Sequence, residues 1–150
     1  MEDSGAERFK IGDGPSLILV GVDGSETSLG AGAWAGGLAR RHGSQLFVLY
    51  VATTPSLYGL APGSAVAAVA RSEVARELRQ LVDEGAGYYG VDARFEVRHG
   101  DPFTEFVRAA EETRADTVVV GVSTHAGHRI MGSLAVKLVR AGRWPVTVVP

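Results

Sequence analysis

Apolar residues follow two alternating patterns along this chain. Five short runs, at residues 17–22, 46–51, 93–97, 117–122 and 145–149, are built largely from Val, Ile, Leu, Phe and Tyr, which suit a pleated, half-buried strand. Between them apolar residues recur at i, i+3, i+4 and i+7. Ala31, Trp34, Ala35 and Leu38 form one such stripe, and Val74, Leu78, Leu81 and Val82 a second. Phe103, Phe106, Val107 and Ala110 form the third, and Met131, Leu134, Ala135 and Leu138 the fourth. That spacing predicts four amphipathic helices docked on a sheet. Strands alternating with helices imply right-handed βαβ units, hence one α/β domain with a parallel sheet.

Boundary residues agree with the periodicity. Asp101-Pro102 reads as an N-cap followed by proline at the first helical position. Gly43 and Gly142 are placed to end the first and last helices. Residues 53–63 hold two prolines and two glycines, which predicts a loop and a candidate lid. Residues 1–14 are polar and lack the apolar stretch of a secretory signal. They read as a disordered leader, with the domain spanning residues 15–150.

The runs also differ in ways that predict strand positions. Residues 17–22 and 117–122 are almost continuously apolar, as central strands covered on both faces should be. Residues 94–98 (RFEVR) alternate, which suits an edge strand with one wet face. The last run, Val146 to Val149, is apolar and carries no charge. At the opposite edge it would offer unpaired backbone groups, and such an edge is usually covered or paired with another chain. A homodimer through Val146–Val149 is therefore the expectation. An interior position for this strand would also account for its composition.

Composition narrows the chemistry. The chain has 150 residues and no cysteine, which excludes disulfides, thiolate metal sites and cysteine nucleophiles and fits a reducing cytoplasm. Its net charge of -2 comes from interspersed acids and bases, so no broad field attracts nucleic acid or an anionic membrane. Arg71, Arg76 and Arg79 stand beside Glu73 and Glu77, an ion-paired solvated face rather than a nucleic-acid patch. No apolar run reaches the roughly 18 residues of a membrane helix. His125 and His128 lack a third ligand of clear pattern, so no metal is expected. There is no G-x-x-x-x-G-K-[ST] loop and no G-x-S-x-G elbow.

In an open parallel sheet, ligands bind beyond the carboxyl ends of the strands where strand order reverses. Two loops qualify, one after Asp23 and one running from Gly121 into the last helix. Asp23 could accept hydrogen bonds from a ribose or an adenine amine; it reads equally well as a turn residue or helix cap. Gly132-Ser133 opens the last helix, where backbone N–H groups and the helix dipole favour an anion. An ordinary helix start is the plain alternative.

Residues 17–25 (LILVGVDGS), 46–51 (LFVLYV), 99–102 (HGDP), 115–122 (ADTVVVGV), 132–135 (GSLA) and 144–149 (WPVTVV) occur in an order and spacing that resembles the universal stress protein family. The resemblance runs from Leu17 to Pro150. It implies the adenine nucleotide α-hydrolase-like fold: a doubly wound, five-stranded parallel sheet of order 3-2-1-4-5 with two helices on each face, commonly dimeric through the last strand. One branch of that family binds ATP through a Gly-x2-Gly-x9-Gly-Ser/Thr loop. On that pattern Gly121 matches the first glycine and Gly132-Ser133 the closing pair. Asp23 matches the acid facing the nucleoside, and Val51 the residue beside the base. Thr124 stands where the pattern has its second glycine, and the loop is two residues shorter. Gly127 lies within that loop and restores some backbone freedom, and His128-Arg129 supplies positive charge. The implied site is thus Asp23, Val51, Gly121, Thr124, Gly127, Gly132, Ser133 and Leu134, taking ATP or another adenine nucleotide.

The function these readings imply is that of a cytoplasmic stress-response binding protein, regulatory rather than enzymatic, acting through its dimer surface on protein partners that the sequence does not name. A nucleotide-free interaction module with a degenerate pocket is the second reading. A weak ATPase is the third, because no general base is placed to activate water.

Overall fold

A computed structural model of the chain describes residues 14–53, 65–125 and 128–150, without the side chains of residues 125 and 128–130. Residues 1–13 of the expected leader, 54–63 of the expected loop, and Gly127 lie outside the described residues.

The elements are β1 (Leu17–Gly21), α1 (Glu26–His42), β2 (Gln45–Ala52), α2 (Ala65–Tyr89), β3 (Ala93–His99), α3 (Pro102–Thr113) and β4 (Thr117–Gly121). They continue with β5 (Ser123–His125), β6 (His128–Ile130), α4 (Ser133–Ala141) and β7 (Val146–Val149). The main sheet has the order β3-β2-β1-β4-β7, every pair parallel. Counting its five strands alone, this is the expected 3-2-1-4-5. The order reverses between β1 and β4: α1 and α2 cross over one face, α3 and α4 the other.

Alternation along the strands sorts side chains between those two layers. Ile18, Val20, Val48, Tyr50 and Val119 pack with Ala31, Ala35 and Ala39 of α1 and Leu78 of α2. Leu19, Phe47, Leu49, Val118 and Val120 pack with Phe106, Ala109 and Ala110 of α3 and Ala135 and Leu138 of α4. Phe106 is the largest fully buried side chain; truncating such a residue to Ala typically costs about 3–5 kcal/mol.

Helix ends follow their expected chemistry. The Asp101 carboxylate accepts from the Thr104 N–H at 2.9 Å and its hydroxyl at 2.8 Å, with Pro102 opening α3. These hydrogen bonds, the backbone one first, hold the Asp101 carboxyl below its usual range. Gly43 and Gly142 end α1 and α4 in the left-handed region.

Two stripe residues sit elsewhere than the periodicity predicts. Trp34 is 39% exposed, because α1 turns its alanines to the sheet and leaves Trp34 on its flank. Met131 is 52% exposed and precedes α4, which begins at Ser133 after the Gly132 N-cap. Between α1 and α2 the packing is incomplete. A cavity of about 220 Å³ remains, lined by Leu29, Gly32, Gly36, Leu81, Gly85 and Tyr89 among others.

Both edges fall where the patterns put them, but the β3 edge is drier than alternation suggests. Arg98 donates from Nε to Glu96 Oε1 at 2.7 Å and from its terminal nitrogen to Glu112 Oε2 at 2.6 Å. Arg94 lies over the Phe47 ring. These pairs spread side chains across the face that the sequence left open to water.

Candidate functional site

At the carboxyl ends of β1 and β4 lies a cleft of about 360 Å³, within the range of roughly 300–1,000 Å³ usual for small-molecule sites. It sits at the reversal of strand order, where neighbouring crossovers leave in opposite directions and open a crevice.

Seven of the eight expected site residues line this one cleft: Asp23, Val51, Gly121, Thr124, Gly132, Ser133 and Leu134. Gly127 lies outside the described residues. Leu49, Val51, Phe106 and Val120 give the cleft an apolar side. Ser25, Thr27, Ser28, Ser123, Thr124 and Ser133 give it a hydroxyl-rich one.

The β1–α1 turn is braced from within. Asp23 Oδ1 accepts from the Ser25 N–H at 2.8 Å, and the Asp23 N–H donates to Ser28 Oγ at 3.1 Å. Ser25 is the N-cap of α1, accepting from the Ser28 N–H at 3.3 Å. Asp23 is therefore a turn residue whose carboxylate also borders the cleft; the two sequence readings describe one residue. That charge reaches Tyr50 on β2. Burial, and then the negative charge of Asp23, push the Tyr50 phenol above its ordinary value, with Arg71 acting in the opposite sense.

Gly121 lines the cleft and also carries a packing role. It is not among the positive-φ glycines. A Cβ there would lie 2.6 Å from the Thr27 carbonyl oxygen and 2.9 Å from the Ser28 nitrogen. Its bareness lets the start of α1 rest directly on β4. Gly21 does the same on the opposite face, where a Cβ would lie 2.8 Å from the Phe106 ring. Gly132 is bare because Ser123 fills the space: a Cβ would lie 2.1 Å from Ser123 Oγ.

The loop between β4 and α4 is ordered differently from an open phosphate-wrapping loop. Residues 123–125 and 128–130 pair as antiparallel strands, with Ser123 opposite Ile130, Thr124 opposite Arg129 and His125 opposite His128. Thr124 is a poor substitute for a flexible glycine, but as a β-branched residue it suits the strand it occupies.

The α4 start offers free donors. Its first main-chain bond runs from the Val136 N–H to the Gly132 carbonyl, and Gly132 brings no side-chain cap. The N–H groups of the first turn have no acceptor within the helix. By contrast Ser25 and Asp101 cap α1 and α3.

Several lining residues were not among the expected site residues: Thr27, Ser28, Pro102 and Phe106, while Ser123 and Thr53 lie in the loops expected to border the site. Thr27 and Ser28 are buried polar residues near the start of α1. Serine before a helical pattern is a capping signal, so Ser25 was legible as a cap; that Phe106 reaches the cleft was not, since it depends on α3 crossing β1 and β2.

A doubly wound parallel sheet with a partly polar cleft at its switch point defines an open α/β fold with a candidate site. The chain belongs to the universal stress protein family, whose family model matches residues 16–150. Universal stress protein MJ0531 of Methanocaldococcus jannaschii is 30% identical over 136 residues, covering 88% of this chain and 80% of that one. A universal stress protein solved in complex with cAMP superposes with a TM-score of 0.64 at 26% identity, covering 91% of this chain and 97% of that one. The universal stress protein from Archaeoglobus fulgidus solved in complex with dAMP shares the fold, with a TM-score of 0.62 at 18% identity over 89% of this chain and 97% of that one.

Proposed function

We propose that this protein is a stress-response regulator that binds an adenine nucleotide, ATP or a related one, in the cleft between Asp23 and the start of α4. One observation carries the reading. A single cleft at the switch point joins an apolar wall suited to a base (Val51, Leu49) to a carboxylate (Asp23) and to uncapped N–H donors beside Ser133. The relative solved with cAMP supports the same ligand class here.

The reading is regulatory rather than enzymatic. Asp23 is the one carboxylate among the described lining residues, it braces the β1–α1 turn through Oδ1, and no second acid or histidine stands beside it among the described lining residues to complete an acid–base pair. A cytoplasmic location goes with this reading and with the cysteine-free sequence. So does a homodimer through β7. That strand is an edge, is half-buried throughout, and carries no charge to deter pairing.

Calorimetry with ATP, ADP and AMP tests the reading, repeated on Asp23→Ala and Ser133→Ala. Heat of binding that weakens in both variants supports it. No heat, and no rise in Tm at millimolar nucleotide, ends it. The hairpin in place of an open loop favours a second reading in that case: an interaction module that keeps the fold without a nucleotide.

A further inference from the structure

We propose that the slot between α1 and α2 binds a single-chain carboxylate amphiphile, a medium-length fatty acid, with its alkyl tail inside and its carboxylate on Arg40. The site does not depend on the nucleotide reading and shares one lining residue, Val22, with the switch-point cleft. Three observations carry it: an apolar cavity of defined volume, a long helix with little of its surface buried, and an arginine without an ion pair in line with the opening.

The cavity of about 220 Å³ is walled by aliphatic side chains and glycines, and Tyr89 alone brings a polar side-chain atom to it. Dry apolar cavities of about 150 Å³ take up benzene, so this one holds a larger hydrocarbon. Its lining runs from Leu29 to Gly36 along α1 and from Leu78 to Tyr89 along α2, at least about 10 Å of helix rise. That shape suits an extended alkyl chain, of octanoate or decanoate length, better than a compact ring system. The space exists because α2 buries little of itself. Of its 25 residues only Ala67 and Leu78 are buried, against six of the 17 in α1. Leu29 and Leu81, 37% and 47% exposed, form an open rim between the two helices. A tail laid in the slot covers both leucines and supplies the contacts that an unfilled cavity forgoes.

Charge sets the head group. Leu29, Ala33, Gly36 and Arg40 follow at i, i+4, i+7 and i+11, one line along the side of α1 that borders the slot. Arg40 is exposed and makes no ion pair among the described residues. Arg41 and His42 come next, and α1 has no acid after Glu26. The elements packed beside this end bring Asp83 and Glu84 on α2 and Asp92 ahead of β3. Glu84 accepts from Gln80 Nε2 at 3.0 Å and Asp92 from Gln45 Nε2 at 2.9 Å. The carboxyl end of α1 is itself partly negative, so a carboxylate rests there only against the Arg40 guanidinium. The apolar lining excludes a charged group from the slot; the carboxylate stays at the seam while the tail goes in.

The test is calorimetry of the full chain with hexanoate, octanoate, decanoate and octanol, each below its micelle-forming concentration. Affinity should rise about fourfold per added methylene until the slot is full. Octanoate should bind about two- to fivefold tighter than octanol, the range of an exposed ion pair, and Arg40→Gln should bring that ratio to about one. Gly85→Leu and Ala33→Leu fill the slot from its two walls. A Cβ at Gly85 meets nothing within 4 Å and Ala33 is exposed, so both chains should fold, which thermal melts check. Each should weaken octanoate binding at least about tenfold. No binding of any of the four probes overturns the proposal. So does octanoate binding no tighter than octanol, or octanoate binding unaltered in a folded Gly85→Leu or Ala33→Leu chain.

Discussion

Thr27 Oγ1 donates a hydrogen bond to the Val122 carbonyl at 2.6 Å, tying the first turn of α1 to the end of β4 across the floor of the cleft. The contact is available because Gly121, one residue earlier, has no side chain to hold the two elements apart. The glycine and the threonine thus act on the same joint, one by absence and one by attachment.

Gly121→Ala should destabilise the protein by about 1–3 kcal/mol, the usual range for overpacking, because its Cβ would meet main-chain atoms that cannot rotate away. Thr27→Val, which keeps the shape and removes the donor, should cost about 1 kcal/mol. Urea melts of both variants check this. A Gly121→Ala protein as stable as the parent would show that α1 does not rest on β4 as described.

Tyr50 should titrate above the ordinary tyrosine value of about 10, since burial and the Asp23 charge both oppose its ionisation. Asp23→Asn removes only the second cause, so the Tyr50 pKa should fall yet stay raised. Because the folded value exceeds the unfolded one, this residue's contribution to stability is intact below about pH 10 and is lost as pH rises through the folded value. Absorbance at alkaline pH, referenced to Tyr50→Phe to isolate one of the four tyrosines, reads it directly. An unchanged Tyr50 titration in Asp23→Asn would separate the two groups.

Gly85 and Gly36 line the same cavity between α1 and α2 but should respond differently to alanine. A Cβ at Gly85 meets nothing within 4 Å, so Gly85→Ala should gain about 0.5–1 kcal/mol from helix propensity. At Gly36 the Cβ would lie 2.9 Å from the Tyr89 ring, and the ring's displacement should cancel that gain. Thermal melts that raise Tm in both variants equally would contradict the packing of Tyr89 on α1.

If β7 pairs with a second copy, proline on its outward side should break the dimer. Pro145 and Val149 accept from the N–H groups of Val118 on β4 and of Val122 just beyond it, so by alternation the backbone of Val148 faces away from β4. Val148→Pro removes that outward N–H and should give a folded monomer by circular dichroism and sedimentation, against a dimer for the parent. A parent chain that sediments as a monomer at micromolar concentration would overturn strand-mediated dimerisation.

The sequence by itself determined the order of the elements, the caps at Asp101, Gly43 and Gly142, the edge placement of β3, and the place of the cleft. These are legible because periodicity, capping and strand composition are local, and because an alternating βα chain has few ways to wind. Tertiary structure alone decided what the glycines do and what shape the β4–α4 loop takes. Gly121 reads in sequence as a phosphate-loop glycine, yet its bareness is needed by Thr27, residues distant in the chain and adjacent in space. Thr124 reads as a glycine lost from a loop, yet it sits opposite Arg129 in a hairpin, and strand pairing is a property of two segments together. Trp34 shares the period of the α1 stripe, but the rotation of α1 on the sheet was settled by where its alanines fit most closely. Such choices depend on which surfaces meet, and no local pattern encodes that.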